Sequence, residues 1–136
     1  MPVVPRETRS PWFTNWPLVW FCVSYYSLAA TWGIHSAVAA EESPAEFILQ
    51  IGLVLCLSLW AVADSRRRQK PIPRSLQFWF FLLAGILVPA YFIVTRGWKG
   101  AGWIVLHILG WFAVATLAMH ITGFFYFGDR WWQVFE

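Results

Sequence analysis

Four long runs of apolar residues, separated only by short charged stretches, leave this chain few ways to fold: Trp16 to Ala39, Phe47 to Ala63, Leu76 to Thr95 and Ala101 to Phe127. Each approaches or exceeds the ~20 residues that a helix needs to span a ~30 Å hydrocarbon core. The second is the shortest, and Ala45 and Glu46 extend it by a turn. A backbone in lipid must satisfy its own hydrogen bonds, and the runs lack the alternation of barrel strands, so they read as helices. With 59% of 136 residues hydrophobic, 12% charged and a mean hydropathy of +0.55, a soluble domain of this size could not bury its apolar surface. The expectation is an all-α, polytopic transmembrane bundle of four helices, at about 16–40, 44–66, 75–95 and 101–127, making one membrane domain over 1–136. Residues 1–15 are expected as a cytoplasmic flank and 128–136 as a tail along the interface.

Local punctuation supports these limits. Ser43-Pro44-Ala45-Glu46 offers an N-cap serine, proline at the first helical position and a capping-box glutamate. Arg66, Arg67 and Arg68 suit the C-terminal end of the same helix, where the macrodipole favours cations, and Pro71 and Pro73 stop it. Ser75 can cap the third helix, Pro89 predicts a kink within Gly85 to Pro89, and Gly97, Gly100 and Gly102 predict a tight last connection.

Lysine and arginine set the orientation, because cytoplasmic flanks are enriched in them. Four crossings put Arg6, Arg9, Arg66, Arg67, Arg68, Lys70, Arg74 and Arg130 on one side, with both termini cytoplasmic. Glu41, Glu42 and Glu46 fall outside, as do Arg96 and Lys99. That last pair is the weak point: a third segment that only re-entered would bring both basic loops to one side. The expected home is the bacterial cytoplasmic (inner) membrane.

The chain has eleven Trp, twelve Phe and four Tyr. Trp12, Trp16, Trp60, Trp98, Trp103, Trp131 and Trp132 fall near predicted span ends, as an aromatic belt does, and with Arg66 to Arg68 they are expected at the membrane interface. Ala37-Val38-Ala39-Ala40 resembles a signal-peptidase site, but the apolar stretch before it exceeds the 7–15 residues of a secretory h-region, so an uncleaved first helix is expected. Cys22 and Cys56 both count to the inner half of the bilayer, ~9–12 Å deep, and are expected to act as small hydrophobes.

Ionisable groups inside spans default to a functional hypothesis. Under the four-span topology His35 and His107 lie at nearly equal height near the outer boundary, within reach of Glu46 and Gln50. Such a cluster can bind a divalent metal (His35, Glu46, His107), ligate a haem through both imidazoles, or hydrogen-bond a quinone. His120, about 220° around the helix from His107, is expected to bond Thr116, Thr122, Ser24 or Ser27 instead. Asp64 reads as an interfacial ion pair with its arginine neighbours. The net charge of +3 suits anionic head groups and gives no ground for nucleic-acid binding.

Three stretches carry a resemblance: Trp60-Ala-Val-Ala-Asp64-Ser-Arg66-Arg67-Arg68, Val88-Pro89-Ala-Tyr91 and Thr95-Arg96-Gly97-Trp98-Lys99-Gly100. The pattern resembles small uncharacterised bacterial membrane proteins. More loosely, it is similar to the N-terminal membrane hairpin of phospholipase D-type cardiolipin synthases, whose H-x-K-x-x-x-x-D motif is absent here, so the resemblance implies an anchoring hairpin and no activity. The functional expectation is a non-catalytic accessory or structural subunit, with no cofactor assigned, whose partners are the lipid bilayer and a membrane-protein complex or a second copy. Gly110, Ala113, Ala115 and Ala118 permit close helix packing. The alternatives are a metal-, haem- or quinone-binding anchor subunit and, third, a small transporter.

Overall fold

The computed structural model describes residues 16–39 and 43–135. Five α-helices follow one another, α1 (Trp16–Val38), α2 (Pro44–Arg67), α3 (Arg74–Leu82), α4 (Ala84–Arg96) and α5 (Trp98–Phe127), before a 3₁₀ helix at Gly128–Phe135. Among the described residues there is no strand. By length and composition α2 and α5 can cross a membrane, and a third span is counted only if the bent pair α3–α4 is taken as one. At 23 residues α1 has the length, but Ser24, Tyr25, Tyr26, Ser27, Thr31, His35 and Ser36 dilute its apolar character.

The start of α2 is where the sequence puts it, with Ser43 extended (φ −119°, ψ 154°) ahead of Pro44. The expected capping box does not form. His35 at the end of α1 takes both of its side chains: its Nε2 lies 2.6 Å from Ser43 Oγ and its Nδ1 3.9 Å from Glu46 Oε1. At the next helix start, α3 begins at Arg74 after Pro73, with no cap from Ser75.

The third apolar run is not one straight helix. It breaks at Leu83, upstream of the expected kink, and α3 and α4 are bent by 120°. Leu83 leaves helical geometry (φ −115°, ψ 33°), and the Ser58 hydroxyl of α2 donates to the Phe80 carbonyl at 2.8 Å, giving a partner to a group that helix termination exposes. Pro89 sits within α4, which stays helical around its missing donor. The run therefore enters beside the end of α2, turns at the depth of Ser58, and comes back. At its close, Arg96 pairs with Asp64 near the same end of α2 from which the chain left for α3.

That reversal sets the direction of everything after it. A single residue, Gly97, turns α4 into α5 at φ +59°, ψ −144°, a backbone state that L side chains rarely adopt. Gly100 makes the antiparallel approach possible, since a Cβ there would lie 2.3 Å from the Phe92 carbonyl oxygen. Gly102 faces open space. From here α5 runs parallel to α1. Tyr25 and Tyr26 bond His107, and further along Gly33 meets Ala115 and Ala118. α2 is antiparallel to α1, with Trp60 against Phe21, Gly52 against Leu28 and Glu46 near His35.

Trp16 and the C-terminal turn therefore lie at opposite ends of the bundle, in contrast to the four-span expectation. At the far end Gly128 (φ +57°) reverses the chain, and Trp131 folds back onto Gly123 and is buried. The C-terminal segment is a 3₁₀ turn tied to α5.

Backbone contact at the small residues is close enough to test. A Cβ on Gly33 would lie 2.0 Å from the Ala115 carbonyl oxygen, whereas one on Gly85 would meet nothing within 4 Å. Gly33→Ala and Gly97→Ala are each expected to lower stability in detergent, the latter by about 1–3 kcal/mol from backbone strain. Gly85→Ala should be neutral or better, by up to ~1 kcal/mol of helix propensity. Thermal unfolding followed by circular dichroism separates them, and equal effects at positions 33 and 85 would contradict the packing.

Candidate functional site

Asp64 is the point where α2, α4 and the turn after α2 meet. Its carboxylate, 8% exposed, accepts from Arg68 Nε at 2.8 Å, Arg96 Nη2 at 2.9 Å and the Tyr91 hydroxyl at 3.0 Å. Arg68 is one helical turn along and the sequence foresaw it. Arg96 and Tyr91 lie 32 and 27 residues away, and only the fold brings them in. Nearby, Ser65 Oγ donates to the Val62 carbonyl at 2.7 Å and accepts from the Ile72 amide at 3.3 Å, tying the connecting turn to α2.

Beside this ion pair lies the aromatic core. Trp60, Phe92 and Trp103 present nearly parallel rings, 4.2 Å apart at 6° for Trp60–Phe92, 5.0 Å at 10° for Trp60–Trp103 and 4.9 Å at 15° for Phe92–Trp103. The Arg96 guanidinium carbon stands 4.8 Å from the Phe92 centroid and 5.6 Å from those of both tryptophans. A planar cation suits such faces, each contact contributing on the order of 0.5–2 kcal/mol. Arg96 Nε is buried without a hydrogen-bond partner, so the rings and one carboxylate hold this charge.

The expected aromatic belt divides accordingly. Trp16, Trp98 and Trp132 are exposed, Trp98 most of all at 93%. Trp60, Trp103 and Trp131 turn inward, because each has an aromatic or histidine partner on a neighbouring element. Trp12 lies outside the described residues. Arg66, Arg67 and Arg68 are exposed at the end of α2.

The histidines separate. His35 joins Ser43 and Glu46 at one end of the bundle, while His107 lies beside Tyr25 and Tyr26, nine or ten residues back along α1, or about 14 Å. The expectation that the two imidazoles share a site fails because α5 runs in the opposite direction to the one assumed. Among the described residues no three metal-binding side chains cluster. His120 Nδ1 accepts from Trp131 Nε1 at 3.1 Å, a partner from the C-terminal turn that was not among those expected. Cys22 and Cys56 are free thiols, and Cys56 Sγ points to the Phe21 carbonyl at 3.9 Å.

His107 borders a partly open pocket of about 260 Å³ between α1, α2, α4 and α5. Its walls are aromatic and aliphatic, with Phe21, Tyr25, Trp103 and Trp111 on one side and Ala84, Gly85 and Pro89, just after the break at Leu83, on another.

No family model matches the chain, and neither a curated protein nor a solved structure resembles it closely enough to count as a relative.

Removing one partner of a buried pair leaves the other uncompensated, a loss of about 3–5 kcal/mol. Asp64→Ala should approach that figure, while Arg68→Ala, whose side chain is 40% exposed, should cost less than ~1 kcal/mol. The double variant Asp64→Leu/Arg96→Leu should recover much of the loss. Unfolding equilibria in mixed micelles measure all three, and a mild Asp64→Ala would contradict a structural role for the pair.

Proposed function

We propose that this chain is an integral membrane protein of the bacterial cytoplasmic membrane, with three crossings and one re-entrant hairpin, serving a non-catalytic accessory or structural role. α2 and α5 are the apolar crossings, α1 is the third because it packs lengthwise along both of them, and α3–α4 is the hairpin. The Asp64–Arg96 pair carries the reading, because it fastens the end of the third run beside the end of α2. Charge distribution supports it. With a hairpin, Arg6, Arg9, Arg66, Arg67, Arg68, Lys70, Arg74, Arg96 and Lys99 all flank one side and only Arg130 the other, a sharper positive-inside bias than four spans give. The basic side is cytoplasmic, and the C-terminal turn is outside.

An accessory role follows from where the chemistry-bearing groups go. Asp64, Arg96 and Tyr91 hold helices together, and His35 with Glu46 and Ser43 closes the α1–α2 turn. Meanwhile α5 turns an apolar face outward, with Leu106, Leu109, Phe112 and Leu117 all exposed to lipid or to neighbouring proteins.

Cysteine variants at Gln69, Trp98 and Gln133, treated with a membrane-impermeant maleimide on intact and inverted vesicles, test the topology. Positions 69 and 98 should label from the same side and 133 from the opposite one. Positions 69 and 98 on opposite sides would restore four crossings. The accessory role predicts a partner co-purifying at fixed stoichiometry in mild detergent, and solute flux through the purified protein in liposomes would overturn it.

A further inference from the structure

The pocket between α1, α2, α4 and α5, open on one side past Ile108 and Phe112, differs from an ordinary apolar groove in one respect: a titratable ring sits in its wall. His107 lies nine residues into α5, about 14 Å from Trp98, and so near the middle of the bilayer under the proposed topology. Its Nδ1 pairs with the Tyr26 hydroxyl at 2.8 Å. Its Nε2 makes no hydrogen bond among the described residues, in a zone where water does not serve as the alternative. An unmet polar atom at that depth costs free energy unless a bound molecule satisfies it. In the tautomer whose Nδ1 accepts from the Tyr26 hydroxyl, the ring proton rests on Nε2 and the imidazole offers a donor. The Tyr25 hydroxyl, already donating to the His107 carbonyl at 3.2 Å, holds the same turn of α5 in place.

The remaining lining selects the shape of the occupant. Flat rings dominate one side, with Trp103 3.8 Å from the His107 centroid and Trp111 4.9 Å from Tyr25. Small residues, Ala84 and Gly85, which directly follow the break at Leu83, also line the pocket. At about 260 Å³ the space is just below the usual ~300–1,000 Å³ of small-molecule sites, suited to a compact headgroup and too small for a large macrocycle. A hydrocarbon chain would use neither the flat walls nor the donor.

We propose that the cavity binds a planar, uncharged, lipid-soluble carbonyl compound of the quinone class, its ring against Trp103 and Trp111 and a carbonyl oxygen accepting from His107 Nε2. The site rests on the membrane placement proposed above, which maleimide labelling reads independently. A binding failure with correct labelling therefore refutes the site alone.

The test titrates the full chain in nanodiscs with ubiquinone-1, read by quenching of tryptophan fluorescence. Quenching should saturate. His107→Phe should weaken binding at least tenfold and His107→Gln, which keeps a donor, by less. Gly85→Leu should abolish it by filling the cavity, while His120→Phe, away from the cavity, should leave affinity unchanged. Circular dichroism checks each fold, and if Gly85→Leu does not fold, the two His107 variants decide. Quenching that rises linearly, as simple partition gives, overturns the proposal. So does equal affinity in His107→Phe, or displacement by dodecane with no dependence on His107, which would mark the cavity as an acyl-chain groove.

Discussion

A carboxylate that is only 8% exposed has to find positive charge, and the way Asp64 finds it governs the rest of this fold. Its neighbour Arg68 is largely in solvent and contributes little. The second cation, Arg96, stands at the end of an apolar run, and its side chain, 23% exposed, lies between the carboxylate and three aromatic rings. Neither charge is stable there alone. Together, with the Tyr91 hydroxyl completing the carboxylate's shell, they require that Arg96 return to the end of α2.

Once that end is fixed, the other helices have little freedom. Association in lipid gains nothing from the hydrophobic effect, so it depends on close backbone approach and interlocking side chains. Gly33 against Ala115 and Gly100 against Phe92 supply the close approach, and the Trp60, Phe92 and Trp103 rings supply contact area. Stacked pairs contribute roughly 0.5–1.5 kcal/mol each beyond their area. The inward tryptophans therefore do the work that leucines do in soluble cores, and the outward ones, Trp16, Trp98 and Trp132, remain where an interface would hold them.

Parts of the site were legible in the chain. An aspartate ending an apolar run calls for a partner, and the stretches Trp60 to Arg68, Val88 to Tyr91 and Thr95 to Gly100 turn out to be the ones that converge on it. The small residues Gly110, Ala115 and Ala118 do pack closely, though against α1 of the same chain. The pairing of Asp64 with Arg96 was not legible, because nothing local distinguishes a 20-residue apolar run that crosses from one that turns at its middle. The His35–His107 pairing went astray for the same reason, since reversing one segment carried the start of α5, and His107 with it, away from the end of α1 that holds His35. The pocket beside it, lined in part by residues that follow the break at Leu83, had no sequence signal.

By itself the sequence determined that the chain is helical and suited to a membrane, where α2 starts and ends, and which residues are small enough for helices to touch. These follow from local physics: apolar length, proline and serine at a helix start, cations at a helix end. Only the tertiary structure decided the direction of α5, the partners of Asp64 and the neighbours of each histidine. Those depend on whether Arg96 is more stable beside a distant carboxylate than alone across the bilayer, a comparison between long-range arrangements that no local pattern encodes.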